Sequence, residues 1–311
     1  MRRLPEGVCR HHHVVRAERG AVPVTPLVVA PRVIAHRGAS SVAPENTIAS
    51  FDAALAAGAD AIEVDLQLTA DGVAVVIHDD RLDRTTDLVG DVEGTDARSL
   101  ASADAGTWFA PAFAGARVPT FDDLIAWAAR HPGIGWLLEF KGRWEERSLA
   151  PELEKVRLAG MVARTVVQSF DVDTVRALGA TAPDVRLEVL VSELPGLPAR
   201  REWMGAAAAA AVARPGAVDA EAAAVAAAAA TAELVRLLGE LGAAGCNPYG
   251  LLLVEHPKLA ADLRAAGFSV TPWTLDEPRQ WELAVSAGVD GIITNRPQDL
   301  VAWAEGVGTG A

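Results

Sequence analysis

The segments VIAHRGASSVAPENT (residues 33–47) and IEVDLQLTADGVAVVIHDD (residues 62–80) decide the fold of this chain. Both contain short apolar runs with β-branched residues, and such runs are typical of strands that are buried on both faces. The first run ends at His36 and the last one ends at His78. Polar residues that directly follow buried strands indicate a parallel α/β enzyme.

The residues between these two segments predict a helix. Asn46 or Thr47 can cap its first turn, because either side chain can accept a hydrogen bond from the backbone N–H groups there. Gly58 is placed to end the helix. In the second segment, Asp71 and Gly72 are typical of a hairpin turn, so residues 73–77 are predicted to return as an antiparallel partner of the strand before the turn.

Glu63 and Asp65 are two residues apart in the predicted second strand. Because side chains alternate between the faces of a strand, both carboxylates point to the same side. They repel each other unless a cation lies between them, and Mg²⁺ and Ca²⁺ prefer carboxylate oxygens. The pair therefore indicates a site for one divalent cation. Arg37, at the end of the first strand, offers a planar guanidinium group that suits phosphate.

The rest of the chain continues the alternation of strands and helices. Further strands are predicted at residues 135–141, 165–171, 186–191, 243–247, 268–274 and 291–294. About eight strands, most of them followed by a helix, predict an α/β fold with a TIM (β/α)8 barrel. Polar residues recur where the strands end, among them Glu139, Lys141 and Trp273. In this fold the active site forms at that rim.

The pattern divides the chain into three parts. Residues 31–306 are predicted to form the barrel, and residues 81–119 a small insertion after its second strand. The insertion is rich in turn formers and long for a barrel loop, which indicates a functional segment or an added subdomain. Residues 1–30 are predicted to be a flexible N-terminal arm; His11, His12 and His13 could bind metal there, but three adjacent side chains cannot all converge on one ion.

Composition narrows the class of partner. The net charge of −13 argues against a general nucleic-acid binder, although local arginine and lysine residues can still hold a phosphate. The two cysteines imply no disulfide framework and favour a reducing compartment. We expect no integral membrane segment, because the long alanine-rich stretch is interrupted and weakly apolar. We therefore expect a cytoplasmic protein with a small-molecule substrate.

An ordered set of motifs carries a family resemblance. The motifs are HRG (36–38), PENT (44–47), E-x-D (63–65), DGVAVVIHDDRLDRTT (71–86), E-x-K (139–141), SFD (169–171), WT (273–274) and GIITNRP (291–297). Together they resemble the glycerophosphodiester phosphodiesterases. The resemblance implies a TIM barrel with an insertion after the second strand. It also implies cleavage of glycerophosphodiesters to glycerol 3-phosphate and an alcohol, with Mg²⁺ or Ca²⁺ as cofactor.

The resemblance also implies a role for each matching residue. These residues are, as metal ligands, Glu63, Asp65 and Glu139; as catalytic histidines, His36 and His78; and as substrate contacts, Arg37, Lys141 and Trp273. Departures from the family pattern are modest. Asn295 stands where many members have aspartate, and it is interpreted here as a loop or cap hydrogen bonder.

Several alternatives remain open in the sequence. A lysophospholipase D acting on lysophospholipids would need an apolar approach surface, for which Trp108, Phe109 and Phe113 in the insertion are candidates. A barrel that binds phosphodiesters without turnover would not need two histidines, since a binding site moves no proton. The glycerol 2-hydroxyl group could attack the phosphorus to give a cyclic phosphate, or water could attack directly. The sequence also does not assign acid and base to the two histidines.

Overall fold

The computed structural model describes residues 31–197 and 220–308. Within these residues eight parallel strands form a nearly closed barrel, and a ninth strand pairs with the end of the second. The parallel strands are β1 Arg32–His36, β2 Ala61–Leu68, β4 Gly135–Phe140, β5 Thr165–Ser169, β6 Arg186–Val191, β7 Gly245–Pro248, β8 Ser269–Val270 and β9 Gly291–Thr294. The remaining strand, β3 Ala74–Val76, pairs antiparallel with β2 across the hairpin.

Backbone pairing runs in the order β8-β7-β6-β5-β4-β2-β1-β9. Hydrogen bonds join the two ends of this order: Asp290 N–H donates to Val270 O at 2.9 Å, and Ile293 N–H donates to Pro272 O at 3.0 Å. The predicted TIM-like barrel with an insertion after its second strand is confirmed. All eight strands point the same way, so their carboxyl ends share one rim.

Helices surround the barrel. They are α1 Ile48–Ala56, α2 Ala97–Ser102, α3 Phe121–Arg130, α4 Glu146–Leu158, α5 Val172–Thr181, α6 Ala220–Glu240, α7 Gly250–Glu255, α8 Leu259–Ala265, α9 Pro278–Ser286 and α10 Pro297–Gly308. Their apolar faces pack on the outside of the sheet. In one such contact Phe51 and Trp127 meet Trp136 edge to face, with ring centroids 5.7 Å apart in both pairs.

Two predicted elements differ from the structure. The helix expected over residues 256–266 is shorter, α8 Leu259–Ala265, and an additional helix, α7, ends before it at Glu255. Pro257 separates the two, because it cannot donate a helical hydrogen bond and disfavours helical backbone at His256. The seventh barrel strand, expected over residues 268–274, is paired as a ladder only at Ser269 and Val270. Pro272 has no N–H to donate to the sheet, and pairing resumes only at a single bridge between Tyr249 and Trp273.

The insertion between β3 and α3 has a small apolar core of its own. Its buried residues are Val75, Ile77, Leu82, Val92, Leu100, Ala105 and Val118. It contains α2 and a short 3₁₀ turn at Pro111–Phe113. This packing holds the insertion against the barrel rim beside His78. The proposed arm of residues 1–30 lies outside the described residues.

One described helix, α6, is apolar enough to cross a membrane by length and composition alone. Its segment Ala222–Glu240 has a mean hydropathy of 1.5. Ala230, Leu234 and Leu238 on one face of this helix are buried in the main core. A helix with one face packed against the barrel is weak ground for a membrane span.

Candidate active site

Three acidic side chains meet at the carboxyl-terminal rim of the barrel. Glu63 and Asp65 project from β2, and Glu139 projects from β4, where it is the register partner of Asp65. One carboxylate oxygen from each lies within 4.8 Å of the others. All three side chains are buried, with exposed fractions of 2%, 1% and 7%. The same-face placement expected from the sequence is thus extended to a third acid from the neighbouring strand.

Burial and the charges of neighbouring groups shift the pKa values of the three carboxylates. Burial, with the negative charge of Asp65, raises the pKa of Glu63 well above its ordinary value and the pKa of Glu139 to about 7. Burial opposes ionisation of Asp65 too, but Arg37 holds its pKa well below the ordinary range. Three buried carboxylates that repel one another when ionised are suitable ligands for a hard divalent cation.

Two cationic side chains border the acid cluster. The Arg37 Nε atom lies 3.2 Å from an Asp65 oxygen, and the Lys141 Nζ atom lies 3.2 Å from Glu139 and 3.7 Å from Asp65. The backbone turns sharply at Arg37, which has a φ of 58°, and its N–H donates to the carbonyl oxygen of Glu63 at 2.9 Å. Both cations therefore lie directly against the acid cluster, and their contact with phosphate stays a prediction.

Asn46 supports the cluster from the loop before α1. Its Nδ2 donates to Asp65 at 2.8 Å, and its backbone has a φ of 57° that asparagine tolerates better than most residues. The helix cap is Thr47, whose side chain accepts from Ser50 N–H. Of the two possible caps in the sequence, Thr47 therefore takes that role, and Asn46 serves the acid cluster.

His36 ends β1 and lies beside the acids. Its Nδ1 is 2.7 Å from Asn295 Oδ1, and the Nδ2 of the same amide donates to Asp276 at 2.7 Å. Because the amide presents its oxygen to His36, Nδ1 carries the proton and Nε2 keeps a lone pair. That Nε2 lies 4.0 Å from Glu63. Burial, with the nearby charge of Arg37, lowers the pKa of His36 to about 3.

His78 also lies near the cluster, at the start of the insertion, where its pKa responds to the charges of Asp65, Arg37 and Lys141. Its Nδ1 lies 2.6 Å from Asp79 Oδ1. Gln67 fixes the backbone below it, because its Nε2 donates to the carbonyl oxygens of Ile77, His78 and Asp79 at 2.9–3.0 Å. Burial lowers the pKa of His78, against the opposing effect of Asp65. The two predicted histidines thus flank one acid cluster.

Trp273 lies at the same rim, among other aromatic side chains. Its Nε1 donates to Asn247 O at 2.8 Å, which fixes the ring. The ring centroid is 5.3 Å from that of Phe170 and 5.1 Å from that of Tyr249. Phe170 is 41% exposed, so the group presents an apolar surface to solvent. This surface is larger than the single tryptophan expected from the sequence.

The sequence interpretation missed the residues that orient the histidines. The sequence predicts a loop or cap hydrogen bond for Asn295 and assigns no role to Asp276, Asp79 or Gln67. Asn295 directly follows the apolar strand β9, which is the signal that identified His36 after β1. Asp276 lies in a loop with no such signal, and its contact with Asn295 becomes visible only in the folded chain.

Comparison with known proteins places this geometry in a family. A model of the glycerophosphoryl diester phosphodiesterase family matches residues 36–299. A glycerophosphodiester phosphodiesterase from Caldanaerobacter subterraneus is 30% identical over 277 residues, covering 86% of this chain and 96% of that one. The Bacillus subtilis protein YhdW is 32% identical over 276 residues, with coverage of 86% and 96%.

Solved structures give the same result. An Oleispira antarctica phosphodiesterase in complex with the product sn-glycerol-3-phosphate matches with a TM-score of 0.71 and 26% identity, covering 89% of this chain and 97% of that one. A glycerophosphodiester phosphodiesterase from Agrobacterium tumefaciens matches with a TM-score of 0.64 and 27% identity, covering 88% and 99%. This chain belongs to the glycerophosphoryl diester phosphodiesterase family, and it is a phosphoric diester hydrolase.

Proposed function

We propose that this enzyme hydrolyses glycerophosphodiesters to glycerol 3-phosphate and an alcohol, with one divalent cation, Mg²⁺ or Ca²⁺, on Glu63, Asp65 and Glu139. The observation that carries the proposal is the convergence of three buried carboxylates, whose nearest oxygens lie within 4.8 Å of one another. The solved relative that holds sn-glycerol-3-phosphate supports the same product. A cation bound there would supply positive charge that offsets the phosphoryl oxygens.

Arg37 and Lys141 bind the phosphate. Both lie against the acid cluster, and both are at least partly buried, so their charges act in a medium less polarisable than water. Arg37 offers a planar pair of donors, and Lys141 offers a compact ammonium group. Fixed donors of this kind stabilise the charge that builds up on the phosphoryl oxygens during the reaction.

His36 and His78 move the protons. In each ring Nδ1 is engaged, with Asn295 in one case and with Asp79 in the other, so Nε2 is the nitrogen available to the substrate. One imidazole takes the proton of the attacking hydroxyl group, and the other gives a proton to the leaving oxygen.

The attacking group is either the glycerol 2-hydroxyl or water. Attack by the 2-hydroxyl group gives a cyclic 1,2-phosphate and expels the alcohol, and water then opens the ring. Direct attack by water gives glycerol 3-phosphate in one step. Phosphorus NMR during turnover distinguishes the two routes, because only the first passes through the cyclic ester.

The proposal is tested by glycerol 3-phosphate release from glycerophosphocholine and glycerophosphoethanolamine. We expect release by the wild-type chain with Mg²⁺ or Ca²⁺, no release with EDTA, and a fall of about 10²–10⁴-fold in the variant His36→Ala. Folded wild-type protein that releases nothing with either cation would contradict the proposal.

A second candidate substrate class is lysophospholipids. Trp108 in the insertion is 39% exposed, and Trp108, Phe109 and Phe113 pack edge to face with centroids 5.5–5.7 Å apart. An exposed aromatic group suits the acyl chain of a lipid. Adding lysophosphatidylcholine to the same assay distinguishes the two substrate classes. Lysophospholipids are favoured if the enzyme hydrolyses this lipid and the variant Trp108→Ala hydrolyses it more slowly.

A further inference from the structure

A continuous chain of charged side chains connects the two flanks of the site. Arg37 Nη1 donates to Glu45 Oε1 at 2.8 Å. Glu45 in turn accepts from Arg84, through both carboxylate oxygens at 2.8 Å. Arg84 also donates to both oxygens of Asp79, at 2.5 and 3.0 Å, and Asp79 engages His78. The arginine proposed to contact phosphate and one proposed catalytic histidine are thus joined through three side chains, with Arg84 at the centre.

Of the five side chains in this network, only Arg84 lies within residues 81–119 of the insertion. The five N–H donors of a guanidinium lie in one plane, and here the group makes four hydrogen bonds to two carboxylates. Lone exposed ion pairs contribute little, but bidentate contacts within a network are the exception. The guanidinium carbon also lies 6.0 Å from the Trp108 ring, which restricts it on another side.

The two carboxylates each have a second task that requires a fixed position. Asp79 accepts from Nδ1 of His78, and therefore keeps Nε2 of that ring free. Glu45, which is mostly buried, holds the terminal nitrogen of Arg37 while Asp65 lies beside its Nε. Without Arg84, both carboxylates would lose the partner that sets their orientation.

We propose that Arg84 is a positioning residue, which orients His78 through Asp79 and Arg37 through Glu45. The insertion thereby completes the active site without itself touching the substrate. The inference rests on the proposed function for its kinetic effect, whereas the effect on His78 can be observed without turnover.

The kinetic test compares Arg84→Ala with Arg81→Ala. Arg81 belongs to the same insertion and pairs with Asp83 and Asp91, neither of which is a member of the network that Arg84 joins. We expect Arg84→Ala to lower kcat/KM for glycerophosphocholine by about 100-fold, because a displacement of about 1 Å at a catalytic group has such an effect. KM should rise through Arg37 and kcat should fall through His78, and Arg81→Ala should change neither by more than twofold.

Two further arms separate positioning from stability. Arg84→Lys keeps the charge but cannot grip both carboxylates in the same plane, so it should recover only part of the activity. In ¹⁵N-histidine spectra, wild-type His78 should be protonated at Nδ1, and Arg84→Ala should show a mixture of tautomers.

Either of two results would overturn the inference. One is kinetics of Arg84→Ala equal to those of Arg81→Ala, in folded protein that releases product. The other is an unchanged His78 spectrum, and this result counts whether or not the wild-type chain hydrolyses glycerophosphodiesters. A wild-type chain without activity but with a shifted His78 spectrum would contradict the proposed function and leave the positioning of His78 supported.

Discussion

At the residue scale, the site depends on which atom each amide and carboxylate presents to its neighbour. Asn295 accepts from His36 with its oxygen and donates to Asp276 with its nitrogen. Asp276 also accepts from the side chain of Thr294 and the backbone N–H of Asn295, so its carboxylate is fixed. The His36 tautomer is therefore set two contacts away from the imidazole.

This arrangement can be tested by exchanging the amide and the acid. Asn295→Asp places two carboxylates about 2.7 Å apart, so we expect repulsion to displace them and to lower kcat/KM by at least about tenfold. In the double variant Asp276→Asn/Asn295→Asp, the amide at position 276 can donate to the carboxylate at position 295. This variant should therefore recover most of the activity. Steady-state kinetics of the two variants decide the matter, and a double variant no better than the single one would refute this account of the tautomer.

The residues at strand ends could be predicted from the sequence, and the residues that orient them could not. His36, Glu63 and Glu139 follow or interrupt apolar runs, so both their strand position and their face are encoded locally. The contact of Asn295 with His36 joins residues 259 positions apart, and it depends on the parallel pairing of β1 with β9. Local pattern carries no information about such a contact.

At the element scale, the turn between β1 and α1 leaves room for only one residue type. Gly38 has a φ of 80°, and a Cβ there would lie 2.3 Å from Ser50 Oγ and 2.6 Å from the Ser50 carbonyl carbon. Gly72 in the hairpin has a similar φ of 78°, but a Cβ there would meet nothing within 4 Å. The two glycines therefore separate backbone strain from crowding.

We expect Gly72→Ala to lower the free energy of unfolding by about 1–2 kcal/mol, the cost of left-handed backbone at a residue with a Cβ. Gly38→Ala should add to this about 1–3 kcal/mol for overpacking against α1. Urea unfolding of the two variants measures the difference. Equal losses would mean that the close approach of the turn to α1 is not tight in solution.

One carboxylate, that of Asp104, holds several backbone groups of the insertion in place. Asp104 accepts from the backbone N–H groups of Gly106, Thr107 and Gly115 at 2.7–2.8 Å, and these bonds hold its pKa below the ordinary range. Its contribution to stability is therefore present above the pKa of the unfolded chain and is lost as the pH falls through the lower folded value.

We accordingly expect Asp104→Asn to lower the protection of those three amides against hydrogen exchange, relative to their intrinsic rates, and acid to lower it in the wild-type chain. Glu93→Gln, which alters an exposed acid in the same insertion, is the matched control. Exchange that is unchanged in Asp104→Asn would show that other contacts hold this loop.

Element boundaries followed local chemistry where the signals were strong. The sequence predicts β1, β2 and β4 almost as they are, because each is short, mostly apolar and largely buried. The division between α7 and α8 and the shortness of β8 were not predicted, although Pro257 and Pro272 cause both. Proline removes a backbone hydrogen-bond donor in each case. How far this interrupts the helix or strand depends on the neighbouring segments of the folded chain.

At the scale of the whole molecule, binding of a cation should stabilise the fold. The buried acids oppose folding by mutual repulsion, and a cation among them removes that repulsion. At a free cation concentration 100 times the Kd we expect about 2.7 kcal/mol of added stability. Thermal unfolding in EDTA and in Mg²⁺ or Ca²⁺ measures this shift.

The double variant Glu63→Gln/Glu139→Gln provides the matched comparison. It keeps the size of both side chains and removes both charges, so in EDTA it should unfold no earlier than the wild-type chain. Its unfolding temperature should not respond to either cation. A response as large as that of the wild-type chain would place the cation elsewhere.

The most direct test of the account is glycerol 3-phosphate release by chelator-treated protein to which Mg²⁺ or Ca²⁺ is returned. We expect activity of the wild-type chain to return and to saturate with one cation per chain, and the Glu63→Gln/Glu139→Gln variant to stay inactive at every concentration. Full activity of the wild-type chain in excess EDTA, or equal recovery in the variant, would contradict the claim that these three carboxylates hold the cation on which hydrolysis depends.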